Sequence, residues 1–250
     1  VLLYFLPETI TGHFGDGSPW GVRMTYATPT ADLGTAGAVK FAAGELREPV
    51  LVISGDVLTD FDLQAAVRSH EQRGAEASIV LTRVDSPLAY GIVIIDESGR
   101  ILRFLEKPSW GEVFSDTINT GIYILDPSVL AAVPAGRPYD FGRELFPALL
   151  ASGRPLYGHV AEGYWRDVGD LTEYRTAHLD LLQGRVGVEI PGTHSQGPEH
   201  SVWVGEGARV DFLTKLSGSV IIGAGAQVAP GVRLANCVVG PECMIAAGAD

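Results

Sequence analysis

The chain has 250 residues and a formal net charge of −12, from 18 Lys and Arg against 30 Asp and Glu. With 46% hydrophobic and 19% charged residues it is not a disordered chain, and no apolar run approaches the roughly 20 residues of a membrane span. The acidity and the lack of any Lys/Arg cluster argue against nucleic-acid binding, and the two cysteines, Cys237 and Cys243, exclude a disulfide framework or a four-cysteine zinc site.

The chain opens on Val1-Leu2-Leu3-Tyr4-Phe5-Leu6, too short for a secretory core and without a basic flank. It ends inside a repeating pattern, so both ends read as cut and a piece of a longer chain is expected, in a reducing cytoplasm. Leu33-Gly34-Thr35-Ala36-Gly37 follows. It is either an ordinary loop-to-helix junction or a site where glycines let a nucleotide approach the backbone, with Thr35 capping the helix. Val50-Leu51-Val52-Ile53 is continuously apolar, as a strand buried on both faces should be, and Gly55-Asp56 comes directly after it. A carboxylate at the end of such a strand suits Mg²⁺ or a turn. Asp60 reads as a turn residue, and Asp62 as the cap of a helix stopped at Gly74. Further strands are expected over residues 77–84, 91–95 and 118–125. Around them stand Tyr90-Gly91, Glu106-Lys107-Pro108 and Asn119-Thr120-Gly121. Glu and Asn can hydrogen-bond sugar hydroxyls, and Lys107, one of only three lysines, suits a phosphate. Tyr164-Trp165-Arg166-Asp167-Val168-Gly169 precedes a helix with capping-box spacing, Asp170 and Glu173, closed by Gly184. Strand–helix alternation implies an α/β domain with a mostly parallel sheet and helices on both faces, over residues 1–185.

Residues 186–200 carry Pro191, Gly192, Gly197 and Pro198 and read as a linker. The period then changes: Val204, Val210, Leu216, Ile222, Val228 and Leu234 recur every six residues, and the phase slips by one to Val239 and Ile245. This is the pattern of a hexapeptide parallel β-helix over residues 201–250. Cys237 and Cys243 fall on successive sides of such a coil, as filler rather than as a disulfide or metal pair.

The order and spacing of these pieces resemble the sugar-1-phosphate nucleotidyltransferases. The matching string adds Phe14-Gly15-Asp16-Gly17 and Trp20-Gly21-Val22 to the segments above and covers roughly the first 185 residues. The junction Val188-Glu189-Ile190-Pro191-Gly192 before Val202-Trp203-Val204-Gly205 looks like bacterial mannose-1-phosphate guanylyltransferases, some of which continue into a phosphohexomutase domain. The resemblance implies a Rossmann-like nucleotidyltransferase domain with a mixed, mostly parallel sheet, followed by a partial left-handed β-helix. It implies nucleotidyl transfer from an NTP, most simply GTP, to a hexose 1-phosphate such as mannose 1-phosphate, releasing pyrophosphate with Mg²⁺ as cofactor. Gly34 and Thr35 would lie against the nucleotide; Gly91, Glu106, Lys107 and Asn119 would hold the sugar phosphate; Asp56 and Asp167 would hold the metal. Asp56, Lys107 and Asp167 would form the catalytic set, and the β-helix would support a homo-oligomer. The family's first strand and glycine-rich loop have no counterpart in residues 1–30.

Two other classes stand beside this one. One is a catalytically inactive regulatory or sugar-nucleotide-binding subunit that keeps the fold. The other makes the β-helix an acyltransferase, for which His194 and His200 lie ahead of the first hexad. The four acidic and three basic residues of 201–250 leave −11 in the first 200, so any phosphate site there must rely on a metal ion, backbone N–H groups and Lys107.

Overall fold

A computed structural model describes every residue except Glu45 and Glu199. The chain divides into two compact units: residues 1–55 with 62–162, and residues 56–61 with 163–250. The segment around Trp165 and its following helix thus group with the repeat region rather than with the strands before them.

In chain order the first helices are α1 (Pro7–Phe14) and α2 (Gly34–Ala43), followed by strand β1 (Val50–Ile53). Strand β2 (Val57–Thr59) belongs to the second unit. The first unit resumes with α3 (Leu63–Gln72), whose cap Asp62 accepts the Ala65 N–H at 2.9 Å. Then come β3 (Ala77–Arg83), the pair β4 (Ile92–Ile95) and β5 (Ile101–Leu105), β6 (Thr117–Leu125) and α4 (Pro127–Ala132). A π turn at Phe141–Leu145 runs into α5 (Phe146–Ala151), and β7 (Leu156–Val160) ends the unit.

The sheet runs β5-β4-β6-β3-β7, with β1 also paired to β6. It is mixed, but not mostly parallel: among the described residues β3–β7 is the parallel pair, while β1–β6, β3–β6, β4–β6 and β4–β5 are antiparallel. The physical reason is an insertion. β1 and β3 run the same way, as a helix crossover requires, but β6 lies between them running the other way. Strand–helix alternation sets direction, not adjacency.

β1 also departs from the expected two-sided burial. Leu51 and Ile53 are 37% and 44% exposed. Beyond β6, no other strand pairs with β1 among the described residues. β3 does fit that description: Ile79 faces the aromatic core of Tyr123, Phe141 and Phe146, and Val80, pointing the other way, is equally buried. α2, α4 and α5 contribute to that aromatic-side core, and α3 packs on β3 and β7.

In the second unit β2 pairs antiparallel with β8 (Trp165–Asp167), and α6 (Leu171–Leu182) follows. Asp170 caps α6 by accepting the Thr172 and Glu173 N–H groups. The expected reciprocal box does not close, because the Glu173 carboxylate is taken by Arg166. Residues 186–200, read as a linker, include strand β9 (Thr193–Gln196), which pairs antiparallel with β10 (His200–Val204).

The remaining strands are β11 (Arg209–Val210), β12 (Lys215–Ile222), β13 (Gln227–Val228), β14 (Arg233–Val239) and β15 (Met244–Ile245). β10, β12 and β14 stack in parallel, as do β11, β13 and β15. Val204 lies over Ile222, Val210 over Val228 and Leu216 over Leu234, a constant offset of eighteen residues. All the six-residue positions join one apolar cluster. The phase slip has a location: the offset falls to seventeen between Ser217 and Val220, and Ile222 then lies over Val239. There Asn236 turns left-handed and its side-chain oxygen accepts the Ser219 N–H, so one residue of β14 spans two of β12. Both cysteines are free; Cys243 is exposed, and burial pushes the Cys237 thiol up.

Candidate active site

The α2 start is held by chain that is distant in sequence. Gly34 adopts φ +65°, and a Cβ there would lie 2.8 Å from the Tyr139 carbonyl oxygen, so only glycine fits. That carbonyl accepts the Ala36 and Gly37 N–H groups at 2.9 and 3.0 Å. These donors of the α2 N-terminus are therefore already used. Thr35 is not the helix cap. Its place is inside α2, whose cap is Leu33. Its hydroxyl donates to Asp140 Oδ2 at 2.9 Å and accepts the Phe141 N–H at 3.0 Å. Gly34, Thr35, Asp32 and Asp140 line a cavity of about 450 Å³ with Leu2, Leu3 and Tyr4. Among the described residues no Lys or Arg lines it, which suits the uncharged, donor-bearing part of a ligand rather than its phosphates.

Gly91, just ahead of β4, and Glu106, just past the end of β5, come together with Asn119 on β6. The Asn119 N–H donates to the Gly91 carbonyl at 2.8 Å, and the Lys107 N–H to the Tyr90 carbonyl at 3.1 Å. Glu106 is seated against two glycines: a Cβ on Gly91 would come within 2.7 Å of Oε2, and one on Gly142 would overlap the same carboxylate. Oε2 is buried with no hydrogen-bond partner among the described residues. Burial first, then the Asp140 carboxylate, pushes Glu106 above its ordinary range, while Lys107 and Arg143 pull it down. Lys107 itself is exposed and takes a left-handed backbone, φ 44°. That conformation is uncommon for a residue with a Cβ. The Asn119 amide donates to the Tyr123 hydroxyl at 3.1 Å and accepts the Gly121 N–H at 3.0 Å, and burial drives the Tyr123 hydroxyl far up.

The sign of the Glu106 shift gives an expectation. A carboxyl whose pKa is raised on folding holds its proton in the native state where the unfolded chain has lost it, so stability falls as pH rises from the ordinary value through the raised one. Glu106→Gln removes that loss. Its thermal midpoint should exceed wild type above this window and approach it below; equal midpoints at every pH would show that the carboxylate finds compensation in solution.

Asp56 and Asp167 lie in the second unit, together. The β2–β8 ladder pairs Val57 with Asp167, and the Val168 N–H donates to the Asp56 carbonyl at 2.8 Å. By that register Asp56 falls opposite Val168, one position along the ladder from Asp167; Asp56 is exposed and Asp167 half-buried. Among the described residues no group of three or more His, Cys, Asp or Glu is placed to hold a metal. Two carboxylates and no third ligand fit Mg²⁺, which keeps water and takes phosphate oxygens, and do not fit a structural zinc site. Asp60 serves structure, accepting the Tyr164 and Gly187 N–H groups at 2.6 and 2.8 Å.

The nucleotidyl transferase family model matches residues 1–184. The chain belongs to this family. A mannose-1-phosphate guanylyltransferase of Mycobacterium tuberculosis is 35% identical over 98% of the chain and 67% of its own length. A UTP–glucose-1-phosphate uridylyltransferase of Synechocystis is also 35% identical, over 98% of the chain and 66% of its own length. The chain therefore spans about two thirds of these relatives. Among solved structures, a putative glucose-1-phosphate thymidylyltransferase of Bacillus anthracis, in complex with a sucrose, superposes with a TM-score of 0.63 at 22% identity, covering 76% of this chain and 77% of that one. HddC of Yersinia pseudotuberculosis gives 0.59 at 23% identity, covering 70% and 75%. These likenesses support the nucleotidyl transferase fold.

In this nucleotidyl transferase chain, Asp140 and Gly142 line the candidate site without having been singled out from the sequence. Asp140-Phe141-Gly142 reads locally as a helix cap, and it is one: Asp140 Oδ1 accepts the Gly142 and Arg143 N–H groups. Its second contact, to Thr35, spans 105 residues, and no local pattern announces it. No helix among the described residues is long and apolar enough to cross a membrane.

Proposed function

We propose that the protein transfers a nucleotidyl group from an NTP to a hexose 1-phosphate, forming an NDP-sugar and pyrophosphate, with GTP and mannose 1-phosphate as the preferred pair. The observation that carries this reading is the Glu106 seat: a buried carboxylate oxygen without a partner among the described residues, in a chain of this family, next in sequence to the exposed Lys107. With Oε2 packed against Gly91 and Gly142, the half-buried carboxylate is held in place to accept a sugar hydroxyl, and an ammonium beside it suits the sugar's phosphate. Gly91 leaves room for the Glu106 carboxylate, and Asn119, held by Tyr123 and Gly121, offers its remaining amide hydrogen. Gly34 and Thr35 form the wall against which base and ribose lie.

The attacking group is already an anionic phosphate, so no strong general base is required; the task is to align two anions and offset their charge. Asp56 and Asp167 would hold Mg²⁺, which when bound neutralises charge on the phosphates. Lys107 does the same for the sugar phosphate. The eighteen-residue stacking supports a left-handed parallel β-helix of hexapeptide coils over residues 201–250, with homo-oligomerisation as its role. Mannose with guanine is favoured by the Mycobacterium tuberculosis relative and by the junction at residues 188–192.

The test is pyrophosphate release by the full-length protein with Mg²⁺, each of GTP, ATP, UTP and dTTP being paired with mannose 1-phosphate and glucose 1-phosphate. GTP with mannose 1-phosphate should give the highest kcat/KM. A preference for UTP with glucose 1-phosphate would reassign the substrates, and no turnover with any pair would overturn the activity.

A further inference from the structure

Asp140 holds three things at once. Its Oδ2 accepts the Thr35 hydroxyl at 2.9 Å, and its Oδ1 accepts the Gly142 N–H at 2.9 Å and the Arg143 N–H at 3.1 Å. The Thr35 hydroxyl in turn accepts the Phe141 N–H at 3.0 Å. The turn so fixed presents the Gly142 backbone to the Glu106 carboxylate, where no side chain would fit. The Asp140 backbone N–H is tied down as well, to Glu144 Oε2 at 2.7 Å. Asp140 also lines the cavity walled by Gly34 and Thr35. One carboxylate therefore joins the nucleotide wall to the sugar-side carboxylate, through hydrogen bonds on one side and a backbone contact on the other.

We propose that Asp140 is a positioning residue for nucleotidyl transfer, holding the Thr35 wall and the Glu106 seat in register so that the two substrates meet in line. This rests on the function proposed above. Charge belongs to the arrangement: Asp140 repels Glu106, while Lys107 and Arg143 attract it, and Tyr123 lies within the same field. Neutralising Asp140 should therefore move the Glu106 titration to lower pH.

Two variants separate the parts. Asp140→Asn keeps an oxygen for the Gly142 and Arg143 N–H groups, removes the charge and replaces the acceptor of the Thr35 hydroxyl with an amide donor. Thr35→Val keeps the charge and removes both hydroxyl bonds, the one to Asp140 Oδ2 and the one from the Phe141 N–H. Glu106 is titrated by NMR on glutamate-labelled full-length protein, its resonance assigned with Glu106→Gln. Turnover is measured in parallel with the NTP and hexose 1-phosphate pair that performs best. Asp140→Asn should lower the Glu106 midpoint and reduce kcat about tenfold or more. Thr35→Val should raise the nucleotide KM roughly tenfold and leave the Glu106 midpoint in place. An unmoved midpoint in Asp140→Asn, or an unchanged nucleotide KM in Thr35→Val, overturns the proposal. If the wild type shows no turnover with any pair, the function fails and the positioning role fails with it, whereas the Glu106 midpoint still reports whether the two carboxylates are coupled.

Discussion

Asp56→Ala should abolish pyrophosphate release while leaving the protein folded. The two halves of this expectation rest on different atoms. The fold uses the Asp56 main chain, whose carbonyl accepts the Val168 N–H, and that bond survives the substitution. The side chain is exposed, so its loss opens no cavity. What is lost is one of two carboxylates in the proposed Mg²⁺ site, where a metal contributes several kcal/mol of charge stabilisation. Turnover should fall on the order of a thousandfold or more, with an unchanged thermal transition. Added Mg²⁺ should restore little, because Asp167 alone is a poor anchor for a hydrated cation. Turnover within a few-fold of wild type would remove Asp56 from the mechanism.

The largest stability effect should come from Asp180→Ala. Asp180 lies on α6 at 3% exposure and carries the charge network of the second unit. Its carboxylate accepts Arg166 Nη2 and Arg185 Nη1, each at 2.9 Å, and the Tyr164 hydroxyl at 2.8 Å. Removing one partner of a buried ion pair leaves the other desolvated, at a cost of about 3–5 kcal/mol. Arg166 keeps Glu173, and Arg185 is largely exposed, so the lower part of that range applies. Urea unfolding of the intact protein should show the loss; less than about 1 kcal/mol would mean that water replaces Asp180. β8 carries both Arg166 and Asp167, so Asp180→Ala should also loosen the placement of Asp167 in the proposed metal site. The apparent Mg²⁺ requirement should rise.

The legible features share a common cause. Asp62 and Asp170 announce their helices because a cap bonds to N–H groups two or three residues away. The valines, leucines and isoleucines at six-residue spacing announce the stacked parallel strands, because each recurrence returns to the same inward-facing cluster. Even the slip to Val239 was visible as a phase change, and the structure gives its cause at Asn236. The motif residues Gly91, Glu106, Lys107 and Asn119 were legible through family resemblance, and the chain does bring Gly91, Glu106 and Asn119 together.

What the sequence did not carry is equally specific. A run such as Val50-Leu51-Val52-Ile53 states that a strand forms, not that its neighbour is an antiparallel β6 or that Leu51 stays exposed. Thr35 looks like a cap but sits inside α2, because Leu33 and the Tyr139 carbonyl take over the helix start.

Composition, caps, strand-forming runs and the six-residue period were thus determined by the sequence alone, since each depends on residues within a few positions of one another. The tertiary structure alone decided which strands adjoin, which carboxylate oxygen is buried without a partner among the described residues, and that Asp140 joins Thr35 to the seat of Glu106. Pairing order and desolvation are set by groups that meet only after the chain has closed long loops, as the 105 residues between Thr35 and Asp140 show.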